Sequence, residues 1–187
     1  MLNDIIISFL TNLKKDNITS CIVGGQAYKK YFNKDELTTD YDIHIYIDFK
    51  QLNDKNTFKI IYSHIKTLYR DCKTIYQDLY SLTKFDYAHY SKKYLDTSLL
   101  NKQTEYYISN IICDIQFENE KETFVDISIE YSPDIKNKIS TLSDDFFIKK
   151  EYYIKDIYNF YDTLNNSSDK DKIKKIKNRI KVINSLK

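Results

Sequence analysis

The chain has 187 residues, of which 30% are charged and 42% hydrophobic, and its formal net charge at pH 7 is +2. This composition is typical of a soluble globular protein with one domain, or one domain and a small helical annex. The small net charge does not by itself indicate a nucleic-acid partner, and no stretch reaches the roughly 18 apolar residues of a membrane span.

The scarce residue types carry more information than the abundant ones. There are two glycines and one proline against 18 tyrosines and abundant lysine, a bias that indicates an A/T-rich genome and weakens Tyr and Lys as functional signals. Cys21, Cys72 and Cys113 are widely spaced and form no paired metal-ligand pattern, which predicts free thiols in a reducing compartment. The first residues lack a cleavage site of the secretory type. We therefore expect a cytoplasmic or nuclear protein.

The first third of the chain contains two clear patterns. Apolar residues at helical spacing predict an amphipathic helix over 2–15. A short apolar run, Ile18–Val23, predicts a strand that ends at Gly24-Gly25, and a short helix follows over Gln26–Phe32. Over Asp40–Asp48, apolar and polar residues alternate strictly, which predicts a strand with one buried and one polar face.

The remaining elements are predicted from the same periodicities. The pattern over 83–103 indicates no particular element. Residues 55–82 are predicted to form one long helix or two shorter ones. Strands are predicted over 104–117 and 122–131, joined by a polar four-residue hairpin connection, and Pro133 ends the second strand. A helix over 143–164, a loop at Asn165–Ser168 and a last helix capped by Ser168 or Asp169 complete the chain.

The two glycines of the chain are adjacent, between a strand and a helix. Glycine allows a close backbone approach, and a helix N-terminus offers free N–H groups to phosphate. A turn that only needs positive φ explains the pair equally well.

Two carboxylates, Asp40 and Asp42, lie two residues apart on a strand and therefore share one face. Like charges this close repel each other unless a cation lies between them. A solvated strand face is the simpler alternative, and His44 on the same face fits it as an ordinary polar residue.

Asp126 lies in the otherwise apolar run Phe124–Ile129. A carboxylate in such a strand requires a metal ion or a buried hydrogen-bond partner. Asp114, on the preceding strand, has similar neighbours and ranks second because its strand is less regular.

Together these motifs resemble the polymerase-β-type nucleotidyltransferase superfamily. The resemblance rests on Gly24-Gly25, on the stretch Thr38–Ile43 with its two aspartates, and on Asp126 in a later strand. Within the superfamily, the stretches Gly24–Phe32 and Thr38–Asp42 are most similar to the poly(A) polymerases of large DNA viruses. One departure is Gln26, which stands where the family usually has a serine that binds the triphosphate.

The resemblance implies an α/β (α+β) fold, in which a mixed sheet is flanked by helices. It implies a catalytic domain over 1–142 and a C-terminal helical annex over 143–187. Asp40, Asp42 and Asp126 would be the catalytic, metal-holding residues, with Mg²⁺ as the cofactor and Mn²⁺ as a substitute. The residues that would bind the nucleotide are Gly24, Gly25, Gln26 and Lys29.

The activity implied is template-independent transfer of AMP from ATP to an RNA 3′ end. A protein partner would supply RNA binding, no membrane is involved, and the setting would be a host cytoplasm or a virion. Two alternatives keep the fold: a toxin-like nucleotidyltransferase that modifies tRNA or protein, and a catalytically silent binding module. The last helix carries seven basic residues opposite its isoleucines, either as a phosphate-tracking face or as a solvated one.

Overall fold

The computed structural model of the chain describes residues 2–33, 35, 38, 40–75, 79–82, 106–117, 120–164 and 169–186, with the backbone alone between 73 and 124. The elements of this part are α1 (Leu2–Lys15), β1 (Thr19–Ile22), α2 (Gly24–Tyr31), β2 (Tyr41–Ile47), α3 (Phe49–Leu52), α4 (Lys55–Ile75), β3 (Leu79–Leu82), β4 (Tyr106–Phe117), β5 (Glu120–Tyr131), α5 (Ile135–Ser140), α6 (Lys150–Leu164) and α7 (Lys170–Ser185).

The strands form one mixed sheet in the order β1-β2-β5-β4-β3. Strands β2 and β5 run parallel, whereas the pairs β1–β2, β5–β4 and β4–β3 are antiparallel. Helices cover the sheet, so the predicted α+β fold with a mixed, helix-flanked sheet is confirmed. The parallel pair lies at the centre of the sheet, where it joins two segments that are far apart in the chain.

The alternation of β2 places its residues in two different hydrophobic clusters. Ile43, Ile45 and Ile47 are fully buried in a cluster that includes residues of α1, α4 and β5. Tyr46 points to the opposite face, into a second cluster that includes residues of α2, α6 and α7. Asp42 and His44 lie on this second face but are only half-buried. The second face therefore has an apolar half under the C-terminal helices and a polar half beside it.

Several helix limits agree with the local sequence signals. Helix α1 spans the predicted residues 2–15. The Asp169 side chain accepts a hydrogen bond from the Lys172 N–H and caps α7. Asp169 is one of the two residues that the sequence predicted as the cap of this helix. None of the described helices combines the length and the apolarity that a bilayer crossing requires.

The prediction of helix over 55–82 is wrong at its end. Helix α4 stops at Ile75, and Leu79–Leu82 form β3, which pairs with β4. Helical periodicity reports only local spacing, whereas strand pairing depends on a partner supplied from elsewhere in the chain. The edge of β4 provides that partner.

The predicted helix over 143–164 begins later, at Lys150. Phe146 has a positive φ of 67°, and the Ser143 hydroxyl accepts a hydrogen bond from the Phe147 N–H at 3.2 Å. The Ile22 N–H donates to the Phe146 carbonyl at 2.7 Å, and the Ile148 N–H donates to the Ile22 carbonyl at 3.1 Å. This segment thus follows the open edge of β1, which satisfies backbone groups that a helix would leave unpaired there.

Smaller differences concern element ends. Strand β5 begins at Glu120, so the hairpin connection is shorter than predicted, and residues 118–119 lie outside the described part. The predicted loop at 165–168 and the segment 83–103 also lie outside it. Gly24 and Gly25 form the first turn of α2 instead of preceding it.

Candidate active site

A cleft of about 880 Å³ opens between the polar half of the second sheet face and helices α6 and α7. This volume is within the range of small-molecule sites. The residues of the sheet side and of the glycine turn that line it are Val23, Gly24, Gly25, Asp40, Asp42, His44, Asp126 and Ser128. The helical side is lined by Tyr153, Asp156, Ile157, Asn159, Phe160, Lys172, Lys175, Ile176 and Arg179.

Asp42 and Asp126 are register partners on the parallel strands β2 and β5. Neighbouring strands lie about 4.8 Å apart, and partners in register point to the same face. Both side chains line the cleft. The predicted proximity of these two carboxylates is therefore confirmed.

Asp40 lies immediately before β2 and lines the same cleft. Its Oδ1 atom accepts a hydrogen bond from the Thr38 hydroxyl at 2.6 Å. The three predicted carboxylates thus line one cleft, and one oxygen of the Asp40 carboxylate is engaged by Thr38.

The glycine turn faces this cluster. Gly24 has φ +58°, and a Cβ atom on it would overlap the Asp42 carboxylate. The Gly25 N–H donates to Asp42 Oδ2 at 3.4 Å. Both proposed reasons for the glycines therefore apply at Gly24, which needs a left-handed backbone and also a close approach. The Gly25 N–H in the first turn of α2 thus points toward the Asp42 carboxylate.

The electrostatics of the cluster show most clearly at Asp42. Burial raises the pKa of this carboxyl, and the negative charges of Asp40 and Asp126 raise it further. The Gly25 N–H and His44 oppose these effects by stabilising the ionised form. The cleft therefore holds negative charge at a cost that a bound cation would remove.

His44 lies one row further along the sheet from Asp42, beside its register partner Ser128. Its Nδ1 atom is 2.9 Å from Glu130 Oε1 and 3.3 Å from the Tyr46 hydroxyl. These partners fix the orientation of the ring. The His44 side chain is thus held in one orientation on the wall of the cleft. The alternation of the strand indicates its face but not this orientation.

The two remaining predicted nucleotide-binding residues, Gln26 and Lys29, are placed differently. Gln26 Nε2 donates to the backbone carbonyls of Thr38 and Asp40, at 3.2 Å each. It therefore holds the segment that carries Asp40. Lys29 lies on α2 and is not among the residues that line the cleft. Its neighbour Lys30 pairs with Asp145 and lies over the Phe147 ring.

The cations that do line the cleft come from α7: Lys172, Lys175 and Arg179. Arg179 is only 7% exposed, and its guanidinium lies 4.9 Å from the centre of the Tyr28 ring. The sequence contains a signal for this residue, since Arg179 falls on the inward stripe of the helix with Ile176 and Ile183. The prediction that all seven basic residues of this helix lie opposite its isoleucines is therefore wrong for Arg179.

The residue types at the cluster suit a divalent metal ion, because carboxylate oxygens are the ligands that Mg²⁺ prefers. Within the described residues, however, no group of three or more His, Cys, Asp or Glu side chains is arranged to hold a metal ion. One oxygen of the Asp40 carboxylate already accepts a hydrogen bond from the Thr38 hydroxyl. Mg²⁺ in nucleotide sites is commonly held by one or two carboxylates together with substrate phosphates, a set that does not need three carboxylates in place beforehand.

Asp114, the second-ranked candidate, lies on β4. There Ile112, and not Asp114, is the register partner of Asp126, and a register shift separates Cys113 from Asp114. The side chains of this strand lie outside the described part.

No family model, no curated protein and no solved structure matches the chain significantly.

Proposed function

We propose that the chain is a metal-dependent nucleotidyltransferase that transfers a nucleoside monophosphate from a nucleoside triphosphate to an acceptor hydroxyl. The observation that carries this proposal is the register pairing of Asp42 and Asp126, next to a glycine turn whose Gly25 N–H donates to Asp42. The same arrangement is implied by the resemblance that the sequence bears to the polymerase-β-type superfamily.

The carboxylates Asp40, Asp42 and Asp126 would hold Mg²⁺ or Mn²⁺. When bound, such ions neutralise charge on the phosphates and favour loss of the acceptor proton. The Gly24-Gly25 turn and the start of α2 offer N–H groups to phosphate oxygens. Gln26 keeps the Asp40 backbone in place through its two hydrogen bonds, so it acts on the site indirectly.

In the reaction, the acceptor hydroxyl oxygen forms a bond to the α-phosphorus of the triphosphate. The bond from that phosphorus to the bridging oxygen breaks, and pyrophosphate leaves. The hydroxyl proton passes to a carboxylate of the cleft, for which Asp126 is the proposed acceptor. We propose AMP from ATP as the transferred group and an RNA 3′ end as the acceptor, with RNA binding supplemented by a protein partner.

The test is transfer of label from each α-labelled nucleoside triphosphate, with Mg²⁺ or Mn²⁺, to mixed RNA, tRNA or protein. Asp126→Asn should abolish transfer. Asp162→Asn is the matched control, because this exposed carboxylate lies on α6 and is not among the residues lining the cleft. Label on RNA 3′ ends supports the leading proposal, whereas label on tRNA or protein supports a toxin-like enzyme.

A second candidate is a catalytically silent nucleotide-binding module. Two observations favour it: one oxygen of Asp40 is already engaged by the Thr38 hydroxyl, and the side chain at the position of the family serine, Gln26, is engaged with backbone carbonyls. Nucleotide binding without transfer to any acceptor class, under either metal, would select this candidate.

A further inference from the structure

The basic residues of α7 divide into two sets. Lys172, Lys175 and Arg179 follow one another at helical spacings of three and four, so they form one stripe, and all three line the cleft. The other four, Lys170, Lys174, Lys177 and Lys181, lie at other angles around the helix and are exposed. Helix α7 therefore directs one distinct set of cations toward the carboxylate wall.

Arg179 is the buried end of this stripe. Its Nη2 atom would lie 3.4 Å from a Cβ atom built on Gly25, which places the guanidinium beside the glycine turn. Stacking on Tyr28 and burial against α2 restrict its motion. A guanidinium held in this way beside the glycine turn is placed to bind phosphate oxygens that enter the cleft.

The two walls of the cleft thus have opposite charge. Asp40, Asp42 and Asp126 lie on the sheet side, and the α7 stripe lies on the helical side. A chain of phosphates would find its complement in the cationic wall, and metal ions bound to it would be held by the carboxylates of the opposite wall.

We infer that Lys172, Lys175 and Arg179 bind the β- and γ-phosphates of the nucleoside triphosphate. This inference rests on the proposed function and relocates its phosphate-binding cations from Lys29 on α2 to α7. Because cations bind phosphate without a base or a metal ion, the stripe should bind inorganic tripolyphosphate in the presence of a chelator. Replacing the basic residues of the stripe should weaken binding of the triphosphate and leave binding of the acceptor unchanged.

The first experiment measures binding of inorganic tripolyphosphate to the full chain in EDTA by titration calorimetry. The double variant K172Q/K175Q should bind about tenfold more weakly or worse, since charge-assisted contacts to phosphate are lost. The double variant K174Q/K181Q is its matched control, with the same helix and the same change in net charge, and should lose less than about threefold. Equal losses in the two variants, or no binding by the wild type, would overturn the inference.

Arg179→Gln should show a loss like that of K172Q/K175Q, and Arg70→Gln is its control because the Arg70 side chain is 73% exposed. Circular dichroism shows whether Arg179→Gln folds. If it does not, the K172Q/K175Q result tests the inference by itself, because both lysines are exposed and their replacement should not disturb the fold.

A second measurement separates this inference from the proposed function. In the transfer assay, K172Q/K175Q should raise KM for the nucleoside triphosphate and leave KM for the acceptor unchanged. A raised KM for the acceptor alone would assign the stripe to nucleic-acid phosphates and refute the inference. The proposed function would stand in that case, because transfer still occurs. Conversely, stripe-dependent binding of tripolyphosphate by a wild type that transfers nothing would refute the proposed enzyme alone.

Discussion

Gly24 and Asp42 are packed so closely that any side chain at position 24 would overlap the Asp42 carboxylate. Gly24→Ala should therefore be harmful for two reasons. Its φ of +58° disfavours a residue with a Cβ, which costs about 1–2 kcal/mol of unfolding free energy, and the carboxylate must move. We expect a clear loss of stability in chemical denaturation and loss of nucleotide transfer.

Gly25→Ala is the matched comparison. Its Cβ would meet the Thr38 hydroxyl at 2.5 Å, but Gly24 is the glycine with positive φ. We expect a smaller loss of stability than for Gly24→Ala. The Thr38 side chain can rotate away from the new Cβ atom, whereas the backbone at position 24 cannot leave its left-handed conformation without disturbing the turn. Equal losses would show that the left-handed conformation at Gly24 contributes little.

Asp42→Asn should abolish nucleotide transfer while preserving the fold. The amide keeps the shape and can still accept the Gly25 N–H bond, but it removes a charge needed for metal binding, so the rate should fall by orders of magnitude. A variant as active as the wild type would refute the metal mechanism.

The same variant should alter the pH dependence of stability. The pKa of Asp42 is raised above its ordinary 3.8, so the folded state holds the proton more tightly and the ionised carboxylate destabilises the fold at neutral pH. Asp42→Asn should therefore be at least as stable as the wild type at pH 7. This advantage should shrink as the pH falls through the raised pKa and disappear below 3.8. Urea unfolding at several pH values measures it.

Divalent metal should stabilise the wild type by mass action. At an ion concentration of one hundred times Kd, the gain is about 2.7 kcal/mol. Thermal melts should show a higher Tm with Mg²⁺ or Mn²⁺ for the wild type and little change for Asp42→Asn. A similar shift for both proteins would indicate that the ion binds elsewhere.

The thiols of Cys21 and Cys72 should be almost inert in the folded protein. Burial raises the pKa of each to about 12, so very little reactive thiolate exists at pH 8. In a Cys113→Ser background, alkylation by iodoacetamide should be about a hundredfold slower than for free cysteine. Concentrated guanidinium chloride should restore the rate. Rapid alkylation without denaturant would contradict the burial of these residues.

Local sequence patterns determined those parts of the site that lie within one element. Alternation over β2 placed Asp42 on the face opposite Ile43 and Ile45, because successive residues of a strand point to opposite sides. The adjacent glycines indicated a turn with an unusual backbone, and the pair Ser168 and Asp169 marked the start of the last helix, which Asp169 caps. These features depend on neighbours in sequence, so periodicity and residue type were sufficient.

Only the tertiary structure decided which distant residues meet. The parallel pairing of β2 and β5 sets Asp126, and not Asp114, opposite Asp42. The packing of α7 turns Arg179 into the cleft, while Lys29, next to the glycines in sequence, does not line it. Strand pairing and helix packing follow from the burial of whole surfaces, which a one-dimensional pattern does not specify.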